Sequence, residues 1–223
     1  MLFEKEKIKG LLLDFDMTLG NHELSAYRTI REILEEYITD IDPKSYKMEA
    51  MAQDMLTWNL KGMVKPAEML TRLKEKYGYE IVIDDFNNVW SEKHKEHVEL
   101  YDEVLETLAY LHEKYQICVV TDGNERRQKY KAEKSGILPY VDYVVTSAEV
   151  GHTKPHPAIY QKAMELLKMK PDEVLFIGDR FSSDLLGANE LGIACIWVWP
   201  RDGRTAEAPI DRIYEFKELK TVL

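Results

Sequence analysis

Residues 8–19 read IKGLLLDFDMTL, and this stretch decides the fold. Ile8 to Phe15 is a short apolar run that ends in acids, with Asp14 and Asp16 on either side of Phe15. A run this short and this punctuated reads as a strand buried on both faces of a parallel sheet, not as a helix. Parallel strands need crossover connections, so further apolar runs separated by helical segments are expected. They occur at residues 117–121 (ICVVT), 143–146 (YVVT), 174–178 (VLFIG) and 193–199 (IACIWVW). Between or before them lie residues 104–115, a helical segment from Arg126 to Ser135 stopped by Gly136, the segment PAIYQKAMELLKM opened by Pro157, and SSDLLGANELG at residues 182–192. This alternation predicts an α/β fold, a parallel sheet with helices on both faces.

From Glu23 to Glu99 the rhythm is different. Ile30, Ile33, Leu34 and Tyr37 recur at helical spacing, Pro43 opens a second helix through Trp58, Pro66 opens a third through Tyr77, and Asp84 to Val98 reads as a fourth. Apart from the brief YEIVI at residues 79–83, nothing alternates with a strand's period. The stretch is a helical insertion, so the chain divides into a core of residues 1–20 and 100–223 and an inserted helical domain of residues 21–99.

Composition narrows the function classes. The 223 residues are 45% hydrophobic and 31% charged, which is globular. With 30 Lys and Arg against 40 Asp and Glu, the net charge of −10 disfavours a nucleic-acid backbone or an anionic membrane surface as partner. No apolar run approaches the ~20 residues of a membrane span, and the beginning MLFEKEKIKG lacks the apolar core of a secretory signal. Cys118 and Cys195 sit in apolar runs and read as buried reduced thiols, which points to a cytoplasmic protein.

The chemistry collects where the strands end, because open α/β sheets bind ligands at the carboxyl ends of their strands. Asp14 and Asp16, two apart, point to the same side of their strand, and Thr18 adds a hydroxyl. Gly178-Asp179 and Asp184 add two acids after another apolar strand, with Asp184 near a helix start. If both segments converge, four carboxylates share one site and call for a hard cation such as Mg²⁺. Thr121-Asp122-Gly123 closes a third strand with a hydroxyl and a turn whose N–H groups can face an anion. Lys154, in HTKPHP, is held by a backbone that two prolines restrict.

In this ordered set the sequence resembles the haloacid dehalogenase superfamily. Asp14-Phe15-Asp16-Met17-Thr18-Leu19 is similar to its first motif, Thr121 to the second, Lys154 to the third, and Gly178-Asp179 with Asp184 to the fourth. Met17 departs from the pattern, standing where many members carry Gly. The resemblance implies a Rossmann-like core with a mobile helical cap inserted after the first motif. It implies a Mg²⁺-dependent phosphatase acting on a small phosphorylated metabolite. Asp14 would attack phosphorus and carry an aspartyl-phosphate, and Asp16 would serve the leaving oxygen and then the attacking water as acid and base. Asp14, the carbonyl of Asp16, Asp179 and Asp184 would hold the metal. Thr121, Lys154 and backbone N–H groups near Phe15, Asp16 and Asp122 would bind phosphoryl oxygens, and Thr18 would orient the motif. An acid at position 16 disfavours dehalogenation, since a departing halide needs no proton. A phosphomutase, and a silent regulatory or binding protein of the same fold, stay open.

Other residues of chemical interest have plainer readings. His94 and His97 belong to the surface of the insertion, Trp58 and Trp90 to its packing, and Trp197 and Trp199 to core and rim. His152 and His156 flank Lys154 and are candidates to touch substrate.

Overall fold

Leu11, Leu12 and Leu13 are fully buried in β1 (Gly10–Leu13), although successive side chains point to opposite faces. A strand buried on both sides needs cover on both, and burying each leucine contributes roughly 1.5–3 kcal/mol. The computed structural model describes residues 1–199 and 204–223. Among these, β1 is joined by β2 (Gln116–Thr121), β3 (Tyr143–Thr146), β4 (Val174–Gly178), β5 (Ala194–Val198) and β6 (Asp211–Ile213). They form one parallel sheet in the order β3-β2-β1-β4-β5-β6. Leu13 stands beside Val119 of β2 and Ile177 of β4, so the chain segments after all three strands emerge side by side. Strand order reverses at β1, which is where such sheets open a crevice for ligands.

Helices α5 (Val104–His112), α6 (Glu125–Lys134), α7 (Ser147–Val150), α8 (Pro157–Leu167), α9 (Leu186–Glu190) and α10 (Leu219–Val222) belong to the sheet unit. Leu12, Cys118, Val120 and Phe176 of the sheet pack with Ile159, Tyr160 and Ala163 of α8 and Ala188 of α9 in one apolar cluster. Both cysteines are buried and free. The single helix expected over residues 182–192 is divided, with a π turn at Phe181–Leu185 preceding the short α9. β6 went unread in the sequence because three residues, one of them an Arg, carry no periodic signal.

His22–Glu99 form a second compact unit, and Met1–Asn21 with Leu100–Leu223 the first. The helices of the second unit are α1 (His22–Tyr37), α2 (Tyr46–Asn59), α3 (Pro66–Tyr77) and α4 (Phe86–Glu96). Ile30, Ile33 and Leu34 pack with Met48, Met51, Met55, Met69, Leu73 and Trp90. Tyr37, which shares their spacing, is instead exposed. Pro43 does not open α2, because Ser45 caps it by accepting the Met48 N–H at 3.2 Å. Pro66 does open α3, and Gly78 ends it in the left-handed region. Residues 79–83 form no strand; Ile81 is buried while Val82 is exposed, and among the described residues no strand pairs with them. Among the described residues no helix is long and apolar enough to cross a membrane.

Candidate active site

Asp14 follows the last residue of β1 and keeps its register, donating its N–H to the Ile177 carbonyl at 3.0 Å. Its buried carboxylate meets Lys154, whose Nζ lies 2.5 Å from Asp14 Oδ1 and 2.7 Å from Asp184 Oδ1. The same ammonium donates to the Val120 carbonyl at 3.1 Å, so it faces three acceptors. Lys154 is placed by its main chain as well, since its N–H donates to Asp122 Oδ1 at 3.0 Å. Burial alone would lower the lysine's pKa, but Asp14, Asp184 and Asp122 outweigh it and hold it above its ordinary value. Burial pushes Asp14 well above the usual carboxylate range against the pull of Lys154, and the charges of Asp184 and Asp179 add to that push.

Asp179 and Asp184 arrive from the end of β4 and the π turn. The Asp184 carboxylate folds back over Gly178 and accepts the Arg180 N–H at 2.9 Å. Trp197 of β5 donates its indole N–H to the Asp179 carbonyl at 2.8 Å, fixing that backbone. Asp14, Asp179 and Asp184 each offer a carboxylate oxygen, all within 4.8 Å of one another. Asp179 Oδ1 is buried without a hydrogen-bond partner. Burial, and then the charge of Asp184, push the Asp179 carboxyl up to about 7. Three buried carboxylates, two of them paired with Lys154 and the third 3.9 Å from Arg204, with one Asp179 oxygen lacking a hydrogen-bond partner among the described residues, form a donor set that fits a hard divalent cation.

The fourth expected carboxylate does not join them. Lys131 of α6 donates to Asp16 Oδ1 at 2.6 Å and Oδ2 at 2.8 Å, and its Nζ stands 4.7 Å from the centre of the Phe15 ring. Among the described residues three side-chain carboxylates therefore converge, not four, and the local charge includes a second lysine. Nothing in ERRQKYKAEK, the sequence of α6, distinguishes Lys131 from its solvated neighbours, so sequence reasoning missed it. The carboxylate of Asp122 was missed in the same way, since only its backbone N–H was expected to matter.

Thr121 is buried at the end of β2, beside the segment that follows β1. Gly123, at φ 134°, donates its N–H to Ser147 Oγ at 2.9 Å, and the Gln128 amide donates to the Asp122 carbonyl at 2.9 Å. The turn after β1 is tight, with the Phe15 carbonyl accepting the N–H groups of Leu19 at 2.9 Å and Gly20 at 2.7 Å. Met17 sits there at φ 69°, the left-handed region that costs a side-chain-bearing residue roughly 1–2 kcal/mol and explains why glycine suits this position. The Thr18 hydroxyl is buried with no hydrogen-bond partner, so no such bond accounts for its expected orienting role.

His94 and His97 lie within the helical unit. His94 stacks on Trp90 with ring centres 5.7 Å apart, and His97 meets Glu32 at 2.6 Å. His152 and His156 stack on each other, ring centres 3.7 Å apart.

Comparison with known proteins places this geometry in context. The family described as haloacid dehalogenase-like hydrolase matches residues 11–198. The chain is 31% identical over 210 residues to the pyrophosphatase PpaX of Bacillus mycoides, covering 89% of this chain and 87% of that one. It is 34% identical over 106 residues to a glyceraldehyde 3-phosphate phosphatase of Pyrococcus furiosus, covering 48% of this chain and 42% of that one. In fold it resembles the hydrolase YfnB of Bacillus subtilis, solved bound to magnesium, with a TM-score of 0.78, 21% identity and coverage of 97% and 98%.

Proposed function

Because this chain belongs to the haloacid dehalogenase-like hydrolase family, we propose that it hydrolyses the phosphoric monoester of a small metabolite, with Asp14 as nucleophile and Asp16 as acid and base. The observation that carries this reading is a pair of aspartates two residues apart, each held by its own lysine: Asp14 by Lys154 and Asp16 by Lys131. A second carboxyl beside the nucleophile suits a leaving group that departs as an alkoxide and needs a proton. The relatives' names, a pyrophosphatase and a glyceraldehyde 3-phosphate phosphatase, support a phosphorylated substrate.

A carboxylate oxygen of Asp14 attacks phosphorus in line, and the bond to the leaving oxygen breaks as Asp16 delivers a proton to it. Water then attacks the aspartyl-phosphate while Asp16 takes its proton back, and cleavage of the phosphorus–Asp14 bond regenerates the carboxylate. Lys154 holds Asp14 in place for the attack, and Thr121, with the backbone N–H groups of Phe15, Asp16 and Asp122, receives the phosphoryl oxygens. Magnesium is the cation we assign: Asp14, Asp179, Asp184 and the Asp16 carbonyl would hold it, and when bound it supplies positive charge against the carboxylates and the phosphoryl group. The helical unit, residues 21–99, is the cap in this reading and selects the substrate. The buried free thiols of Cys118 and Cys195 are consistent with a cytoplasmic setting.

Phosphate release from p-nitrophenyl phosphate, triose and sugar phosphates, nucleotides and pyrophosphate, with and without Mg²⁺, tests the reading. Magnesium-dependent hydrolysis of at least one monoester is expected. Hydrolysis of none, or full activity in EDTA, would overturn it.

A further inference from the structure

We propose that Lys131 is a positioning residue that holds the carboxyl group of Asp16 for proton transfer; this rests on the reading of Asp16 as acid and base. Lys131 and Ala132 are the buried residues of α6. The Lys131 side chain is 8% exposed while that of Asp16 is 35% exposed. One ammonium grips both oxygens of the carboxylate, at 2.6 and 2.8 Å, and lies over the Phe15 ring. Burying a lysine at a helix–sheet contact brings little stability that a methionine of similar length would not, because desolvation offsets the ion-pair attraction. The lysine instead defines direction. A carboxyl held at both oxygens cannot swing freely, and proton transfer requires a donor within hydrogen-bond reach of the reacting oxygen. The Asp16 side chain is 35% exposed, so water can solvate it if Lys131 is removed.

The test is a cycle of Lys131→Met, Asp16→Asn and the double variant, read as kcat/KM on phenyl phosphate and on p-nitrophenyl phosphate. The kcat/KM ratio reports the step in which the leaving group departs, and p-nitrophenolate leaves with little need of a proton. Lys131→Met should lower kcat/KM on phenyl phosphate by ~10–10²-fold, within the range of general acid catalysis, with a loss on the nitro ester about tenfold smaller. In the Asp16→Asn background the same change should cost nothing further, because a residue that acts through Asp16 has nothing left to position. Lys131→Arg should restore most of the loss, and it also serves should Lys131→Met not fold. Additive losses in the double variant, equal losses on both esters, or no loss at all would overturn the proposal. Wild-type protein that hydrolyses neither these esters nor any other monoester of the panel above would overturn the phosphatase reading itself, and the role of Lys131 with it.

Discussion

Lys154 Nζ lies 2.5 Å from Asp14 Oδ1, although the two residues are 140 positions apart in the chain. The contact joins the end of β1 to the loop before α8, and Asp184, 2.7 Å from the same nitrogen, ties in the segment after β4. A single buried cation thus holds together three segments that sequence order keeps apart.

Removing that cation should be costly in two ways. Lys154→Met leaves Asp14 and Asp184 buried without their ammonium, and breaking a buried pair from one side costs about 3–5 kcal/mol. Urea denaturation of the metal-free variant should show a loss of that order, partly recovered by added Mg²⁺. Turnover should fall by ~10²–10³-fold, the scale for losing one electrostatic stabiliser.

Asp14→Asn keeps the shape of the side chain but removes the nucleophilic charge. Turnover should fall by at least ~10⁴-fold, as when a covalent catalyst loses its nucleophile. Wild-type protein quenched in acid during turnover should carry a phosphoryl group on the peptide containing Asp14, and the variant should carry none. Mass spectrometry of the digest reads both outcomes.

The metal-free protein should become less stable as pH rises through neutrality. The Asp179 carboxyl is pushed up to about 7 by burial and then by Asp184, so the folded state binds its proton more tightly than the unfolded chain does. Its contribution is therefore complete below the ordinary carboxylate pKa of about 4 and is lost as pH climbs through about 7. A cation competes with that proton, so the rise in Tm on adding Mg²⁺ should grow between about pH 6 and about pH 8. Thermal scans in EDTA and in Mg²⁺ across that range check it; a shift that does not change with pH would contradict it.

Gly178→Ala tests how closely the fourth motif is packed. A Cβ at this position would lie 2.6 Å from Asp184 Oδ2 and 2.8 Å from Asp184 Cβ and Cγ, too close for Asp184 to keep its place. Mg²⁺ affinity, measured by calorimetry, should fall ~10–100-fold, the scale for disturbing the support of a metal ligand. Far-UV circular dichroism should stay unchanged, because β4 ends at this residue.

Much of the architecture was legible because burial writes periodic patterns. The run GLLL, apolar at every position, announced a strand covered on both faces, and Ile30, Ile33 and Leu34 announced the inward side of α1. The strand ends marked Asp14, Thr121 and Asp179 as residues that leave the sheet on one side. Where pattern was weak the reading failed. β6 is too short, residues 79–83 have the composition of a strand without a partner, and Tyr37 shares the spacing of a buried face without its burial.

What the sequence determined by itself was the inventory: which acids follow which apolar runs, and in what order, because burial and backbone preference act over a few residues at a time. What only the tertiary structure decided was the pairing of charges. The prolines around Lys154 marked it in the chain and nothing marked Lys131, yet the acid that each one meets is set by the sheet that brings distant segments into contact. That the Asp16 carboxylate meets Lys131, 115 residues later, and does not join the cluster of Asp14, Asp179 and Asp184, follows from where the fold places these residues in space. Electrostatic energy depends on distance in space, and distance along the chain does not report it.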